Sequence, residues 1–140
     1  MSDTLTTMIE EAAAAARRID ERAALLAASR DFRVVGSPWR FLFAAGESTL
    51  LFSRFDDGMR GPEVAERPLG ALQPIAQPVA ISVEEASKRL DDFPPPFSEV
   101  TLSFARAPEA QQPCYTFVKD DRVRVVGALD GRVIGEMLRV

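Results

Sequence analysis

From residue 99 onward the chain alternates apolar and polar side chains with a period of two, and turn signals interrupt the pattern at short intervals. Val100, Leu102 and Phe104 fall on one side; Glu99, Thr101 and Ser103 fall on the other. Only strands satisfy such a period, and short connections between them restrict this region to an antiparallel meander. After a polar loop over 107–112, residues 114–118 form the next strand, with Tyr115 and Phe117 on one face. Asp120-Asp121 makes a turn, and residues 122–126 return with Val123 and Val125 alternating against Arg122 and Arg124. Asp130-Gly131 is a stronger turn signal, and 132–138 form a last strand. The alternation predicts that Val100, Leu102, Phe104, Val123 and Val125 face a helix. It leaves Arg122 and Arg124 on the opposite, open face with Thr101 and Ser103.

The helix that this sheet needs lies just upstream. Ser82-Val83-Glu84-Glu85 is a capping box, in which the Ser82 hydroxyl accepts from the Glu85 amide and the Glu85 carboxylate reaches back. Val83, Ala86 and Leu90 then recur at helical spacing. Phe93-Pro94-Pro95-Pro96-Phe97 ends the helix, because prolines cannot continue the hydrogen-bond ladder.

The N-terminal half is built from similar parts. Residues 4–29 read as one amphipathic helix on the recurrence of Leu5, Met8, Ile9, Ala12, Ala16, Ile19, Ala23 and Leu26. Thr7-Met8-Ile9-Glu10 is a candidate capping box for it. At 1.5 Å per residue this helix would be ~37 Å long, more than a small domain needs. Either it kinks, or it packs simply across the sheet, or part of it meets a second copy. Residues 32–35 read as a short strand, and 39–44 and 48–55 as a hairpin in which Phe41 and Phe43 share a face, as do Leu50 and Phe52. Residues 59–77, with Pro62, Pro68 and Pro74, read as loop. Pro38-Trp39-Arg40-Phe41-Leu42-Phe43 echoes Pro113-Cys114-Tyr115-Thr116-Phe117-Val118. Two diverged α-β-β-β halves are one account of that echo. The fold class is therefore α+β: a long N-terminal helix and a second helix packed on an antiparallel β-sheet. It is one domain over 1–140, with sub-units 1–58 and 81–140 joined by a Pro-rich loop, 59–80.

Composition removes several chemistries. The chain has no histidine and one cysteine, so the commonest general base, the commonest metal ligand and zinc sites of the Cys/His type are missing. Cys114 lies in an apolar strand with no activating base beside it, which suits a buried small hydrophobe. The pairs Asp56-Asp57, Asp91-Asp92 and Asp120-Asp121 each sit at the end of an element, where aspartate is favoured for local hydrogen bonds. No catalytic residue, no metal ligand set and no cofactor motif is assigned. A net charge of −4 argues against nucleic acid, and no apolar run is long enough for a membrane helix. The N-terminus does not read as a signal peptide, because Glu10, Glu11, Arg17 and Arg18 interrupt it; the expected compartment is the cytoplasm.

Val83-Glu84-Glu85-Ala86, Cys114-Tyr115-Thr116-Phe117 and the run from Val125-Val126-Gly127 through Asp130-Gly131-Arg132-Val133-Ile134 give residues 81–140 a likeness to a known module. In its order of helix and strands this region resembles the PepSY-like family. The resemblance implies inhibitory or regulatory binding to other proteins, commonly outside the cytoplasm. The leading expectation is a non-catalytic protein-binding module, inhibitory or immunity-like, and not an enzyme. Its partner would be another protein, met through Arg122, Arg124, Thr101 and Ser103 as a polar face, with Trp39, Phe93 and Phe97 as aromatic anchors. A homodimer through the N-terminal helix is a further expectation. A cytoplasmic secretion chaperone and a small enzyme using carboxylates or an unrecognised cofactor are the competing readings.

Overall fold

The computed structural model describes residues 4–65, 73–76, 79–104 and 112–138. The loop expected over 107–112 lies outside these save for Gln112, as does much of the Pro-rich stretch, including Pro68. The fold is α+β: two helices and one eight-stranded antiparallel sheet. Helix α1 (Leu5–Ile19) is followed by β1 (Ala24–Asp31), β2 (Trp39–Ala45), β3 (Ser48–Phe55) and β4 (Gly58–Ala65). Helix α2 (Val83–Lys88) is followed by β5 (Glu99–Phe104), β6 (Pro113–Lys119), β7 (Arg122–Gly127) and β8 (Val133–Leu138). The strand order is β4-β3-β2-β1-β5-β6-β7-β8, so each half contributes a four-stranded meander and the halves join where β1 pairs with β5.

The first three strands of the two halves repeat with a constant displacement. Ala28 pairs with Phe41 and Leu102 with Tyr115; Phe41 pairs with Phe52 and Tyr115 with Val126. In β5, β6 and β7 each residue lies 74 positions after its counterpart in β1, β2 and β3 (115 − 41 = 74). Ala28 and Leu102 are themselves partners across the seam, so an approximate two-fold axis passes between them. The helices obey the same displacement: Ile9-Glu10-Glu11-Ala12 corresponds to Val83-Glu84-Glu85-Ala86, and Ala12 and Ala86 are both 0% exposed where helix meets sheet. The echo of Trp39–Phe43 in Cys114–Val118 is thus one residue out of step. It would equate Phe41 with Thr116, whose side chains leave opposite faces of the sheet.

Helix α1 is shorter than its pattern predicts. Its N-cap is Thr4, whose hydroxyl accepts from the Thr7 amide at 3.2 Å, so Thr7 sits inside the first turn and does not cap it. It ends at Ile19, where the Asp20 carboxylate accepts from the Arg22 amide at 2.9 Å and turns the chain. Residues 24–31, helix-like in composition, become the central strand because hydrogen bonding on both edges and burial of Leu25 and Ala28 outweigh propensity. Leu5, Ile9, Ala12, Ala13 and Ala16 are all buried on the sheet, so α1 has little apolar length to spare. Residues 32–35, expected as a strand, form part of the β1–β2 turn with Gly36, which has φ 76°. Part of the expected loop after residue 58 is β4, an edge strand paired to β3.

The register of β7 overturns another expectation. Tyr115, Phe117 and Val126 lie in the main core under the helices. Val123 and Val125 point away from them and form a second buried cluster with Cys114 and Val118. The sheet therefore buries apolar side chains on both faces at this end, and one-sided alternation assigns β7 the wrong way round. Arg124, paired with Phe117, lies on the helix-bearing face.

Candidate functional site

The site is built on the helix-bearing face of the second half. Helix α2 is fixed at its start by three bonds: Ile81 N–H to the Ala128 carbonyl at 2.8 Å, the Tyr115 hydroxyl to the Ile81 carbonyl at 2.7 Å, and the Glu85 amide to the Ser82 hydroxyl at 3.2 Å. Burial pushes the Tyr115 hydroxyl's pKa far up, and Glu84 and Glu85 add to the shift, so the group stays a donor. Ser82→Ala would remove an N-cap worth ~1 kcal/mol. Only six residues later the helix stops, and the chain from Phe93 to Phe97 folds back over the sheet.

That segment is held by aromatic and cationic contacts. Phe93 stacks on Phe97 at 5.9 Å, and Phe97 packs on Phe117 at 4.8 Å. Three cations surround the buried Phe93 ring: Lys119 and Arg122 at 5.5 Å and Arg124 at 5.2 Å. Lys119 Nζ also donates to the Pro94 carbonyl at 2.6 Å. Arg124 binds both oxygens of Asp92, at 3.3 and 3.0 Å. Its hydrogen bonds hold the exposed Asp92 carboxyl below the ordinary value of 3.8. A folded-state pKa below the unfolded one stabilises above the unfolded value, and that stabilisation is lost as pH falls through the folded value. The stability advantage of the wild type over Asp92→Asn should therefore be present at neutral pH and vanish in acid. Parallel denaturant titrations at pH 2, 4 and 7 measure it, and an unchanged difference across that range would count against the pair.

An apolar groove of about 540 Å³ lies beside this segment. One wall is Val83, Ser87 and Leu90 of α2 with Pro94, Pro95 and Phe97. Val100 and Phe117 form the floor. Phe32 and Trp39, in edge-to-face contact at 6.2 Å, form the far wall, and Glu84 and Lys88 mark the rim. The groove thus spans both halves of the fold.

The seven residues singled out from the sequence separate into three places. Trp39 and Phe97 meet at the groove, and Phe93 supports Phe97 from below. Arg122 and Arg124 surround Phe93 on the helix-bearing side. Thr101 and Ser103 pair with Thr116 and Cys114 on the opposite face, so the polar face expected to combine them with the two arginines does not exist. Sequence reasoning missed Phe32, which it read as the start of a strand and not as part of a groove.

Among the described residues no three His, Cys, Asp or Glu side chains come together, and no helix is long and apolar enough to cross a membrane. No family model matches the chain, and no curated protein sequence does. The fold has a solved counterpart in the crystal structure of a putative lipoprotein from Clostridium difficile 630. It superposes with a TM-score of 0.73 over 96% of this chain and 91% of that one, at 10% identity. At that identity the likeness extends to the fold alone.

Proposed function

We propose that the chain is a non-catalytic protein-binding module that receives part of another protein in the groove between α2 and the Phe32–Trp39 wall. The observation that carries this reading is the groove itself: aromatic and aliphatic walls, Phe32 partly exposed, and charge confined to the rim. Interface anchors are typically aromatic side chains in partly dry pockets surrounded by polar rims. The Asp pairs support the same reading, because all three lie at turns or at the end of α2 and not around one cavity. The PepSY-like order of elements in residues 81–140 points to the same class of role, inhibitory or regulatory contact.

The test fills the groove. Ser87→Phe places an aromatic ring against the α2 wall. A protein retained by the wild type from cell lysate is purified, and its affinity is measured for the wild type and for the variant. The expected result is at least about tenfold weaker binding by Ser87→Phe with an unchanged melting curve, as for loss of a central interface contact. Equal affinity for both would reject the groove as the contact surface.

A further inference from the structure

Three of the four residues that open the β1–β2 turn are large and apolar: Phe32, Val34 and Val35 are 42%, 58% and 100% exposed. Turns ordinarily carry polar residues, glycine or proline. This turn holds its shape without those side chains. The Ser37 hydroxyl donates to the Asp31 carbonyl, the Ser37 amide donates to the Val34 carbonyl at 3.2 Å, and Gly36 supplies the left-handed backbone. The charge at the tip is tied down. Arg33 donates from Nε and Nη2 to the two oxygens of Asp31, each at 2.9 Å, which leaves Nη1 for a further acceptor. The tip is therefore an apolar knob flanked by one cation and one anion. The groove is a complementary surface: an apolar hollow whose rim carries one anion, Glu84, and one cation, Lys88. Both are exposed, and neither belongs to an ion pair among the described residues.

We propose that a second copy of the chain covers the groove, its Val34–Val35 tip packing between Phe97 and the Phe32–Trp39 wall, with its Arg33 at Glu84 and its Asp31 at Lys88. A two-fold arrangement makes the contact reciprocal and closed. It requires knob and hole to be neighbours on one copy, so that an axis between them sets each tip over the other's groove. They are neighbours: Phe32 forms part of the groove wall, and Val34 and Val35 follow within three residues, lining a separate hollow with Ser29, Arg40 and Phe55. Because the tip does not enter its own groove, both surfaces stay open to the other copy. Covering Val34 and Val35 removes apolar surface from water, and the charges at the rim orient the tip. The proposal goes beyond the reading above and bears on it. A second copy and another protein compete for one surface, so the concentration of the chain sets how much of the groove is free.

Sedimentation velocity of the full chain over a dilution series reads the association, and Trp39, the chain's single tryptophan, reports the groove. The expected result is a monomer–dimer equilibrium in which Trp39 emission shifts to the blue as the dimer forms. Val35→Asp should raise the dimer dissociation constant at least about tenfold without moving the melting curve, because the side chain it replaces is fully exposed. Arg33→Glu and Glu84→Lys should each weaken self-association. Mixed together, these two variants should associate as well as the wild type does, since the mixed pair has opposite charges at both contacts. A monomer at every concentration, a dimer indifferent to Val35→Asp, or a mixture no tighter than its components would overturn the proposal. The lysate protein judges the groove reading separately. Val35→Asp keeps its groove, so it should bind that protein at least as tightly as the wild type. If Ser87→Phe loses the lysate protein while the wild type stays monomeric, the groove reading stands and the second copy is rejected. If Val35→Asp breaks a dimer while Ser87→Phe and the wild type bind the lysate protein alike, the second copy stands and the groove reading is rejected.

Discussion

Phe117→Ala should lower stability by about 3–5 kcal/mol, the range for truncating a fully buried aromatic side chain. For a chain of this size the midpoint should fall by roughly 10 °C or more. Phe117 is 0% exposed at the centre of the second half's core, in ring contact with Phe97 and Tyr115. Its removal empties the groove floor and takes away the surface on which Phe97 rests. The adjoining Phe93 ring, with Lys119, Arg122 and Arg124 around it, then loses its support through Phe97. Two losses should therefore appear together: a lower denaturation midpoint and a red-shifted Trp39 emission as water reaches the groove. Phe117→Leu, which keeps most of the volume, should restore the greater part of both. A destabilisation of Phe117→Ala below about 1 kcal/mol, the scale of an ordinary substitution, would mean that the register of β6 is wrong.

That register was legible in the sequence for a physical reason. Strands β5 and β6 each turn one face to the main core, and Leu102 and Phe117 advertise it by alternation. Strand β7 deceived the same reasoning because Val123 and Val125 are buried on the helix-free face while Arg124 is tolerated on the other. Arg124 can lie there because Phe93 and Asp92 meet its charge, and both belong to a segment distant in sequence. Strand β1 is invisible to local propensity: Ala-Leu-Leu-Ala-Ala favours a helix, and only pairing on both sides makes it a strand. Strand β4 has no apolar face to advertise, being half-buried or exposed throughout, and exists because β3 offers an edge. At the groove, Trp39 and Phe97 stood out in the sequence as candidate aromatic anchors, and Phe93 with them. Phe32 did not, because it was read as part of a strand and lies instead in the β1–β2 turn, against Trp39.

The same seam makes the second large effect. Leu102→Ala should cost about 2–5 kcal/mol, since Leu102 is 0% exposed and the surrounding sheet cannot collapse around the space left behind. Its cross-strand partner at the approximate two-fold axis is Ala28, already the smallest apolar side chain, so no neighbour on β1 can swing in to refill the site. The way the loss is distributed is more informative than its size. Val100 and Leu102 belong to the same buried cluster as Leu25 and Ala28 of the first half, so the core runs across the β1–β5 boundary. Two halves that share a core should unfold together. The expected result is one transition, shifted as a whole, seen alike by Trp39 fluorescence in the first half and by the ellipticity of the entire chain. If Leu102→Ala instead separates two transitions, with the Trp39 signal left at the wild-type midpoint, the halves are independent units in contact and not one domain.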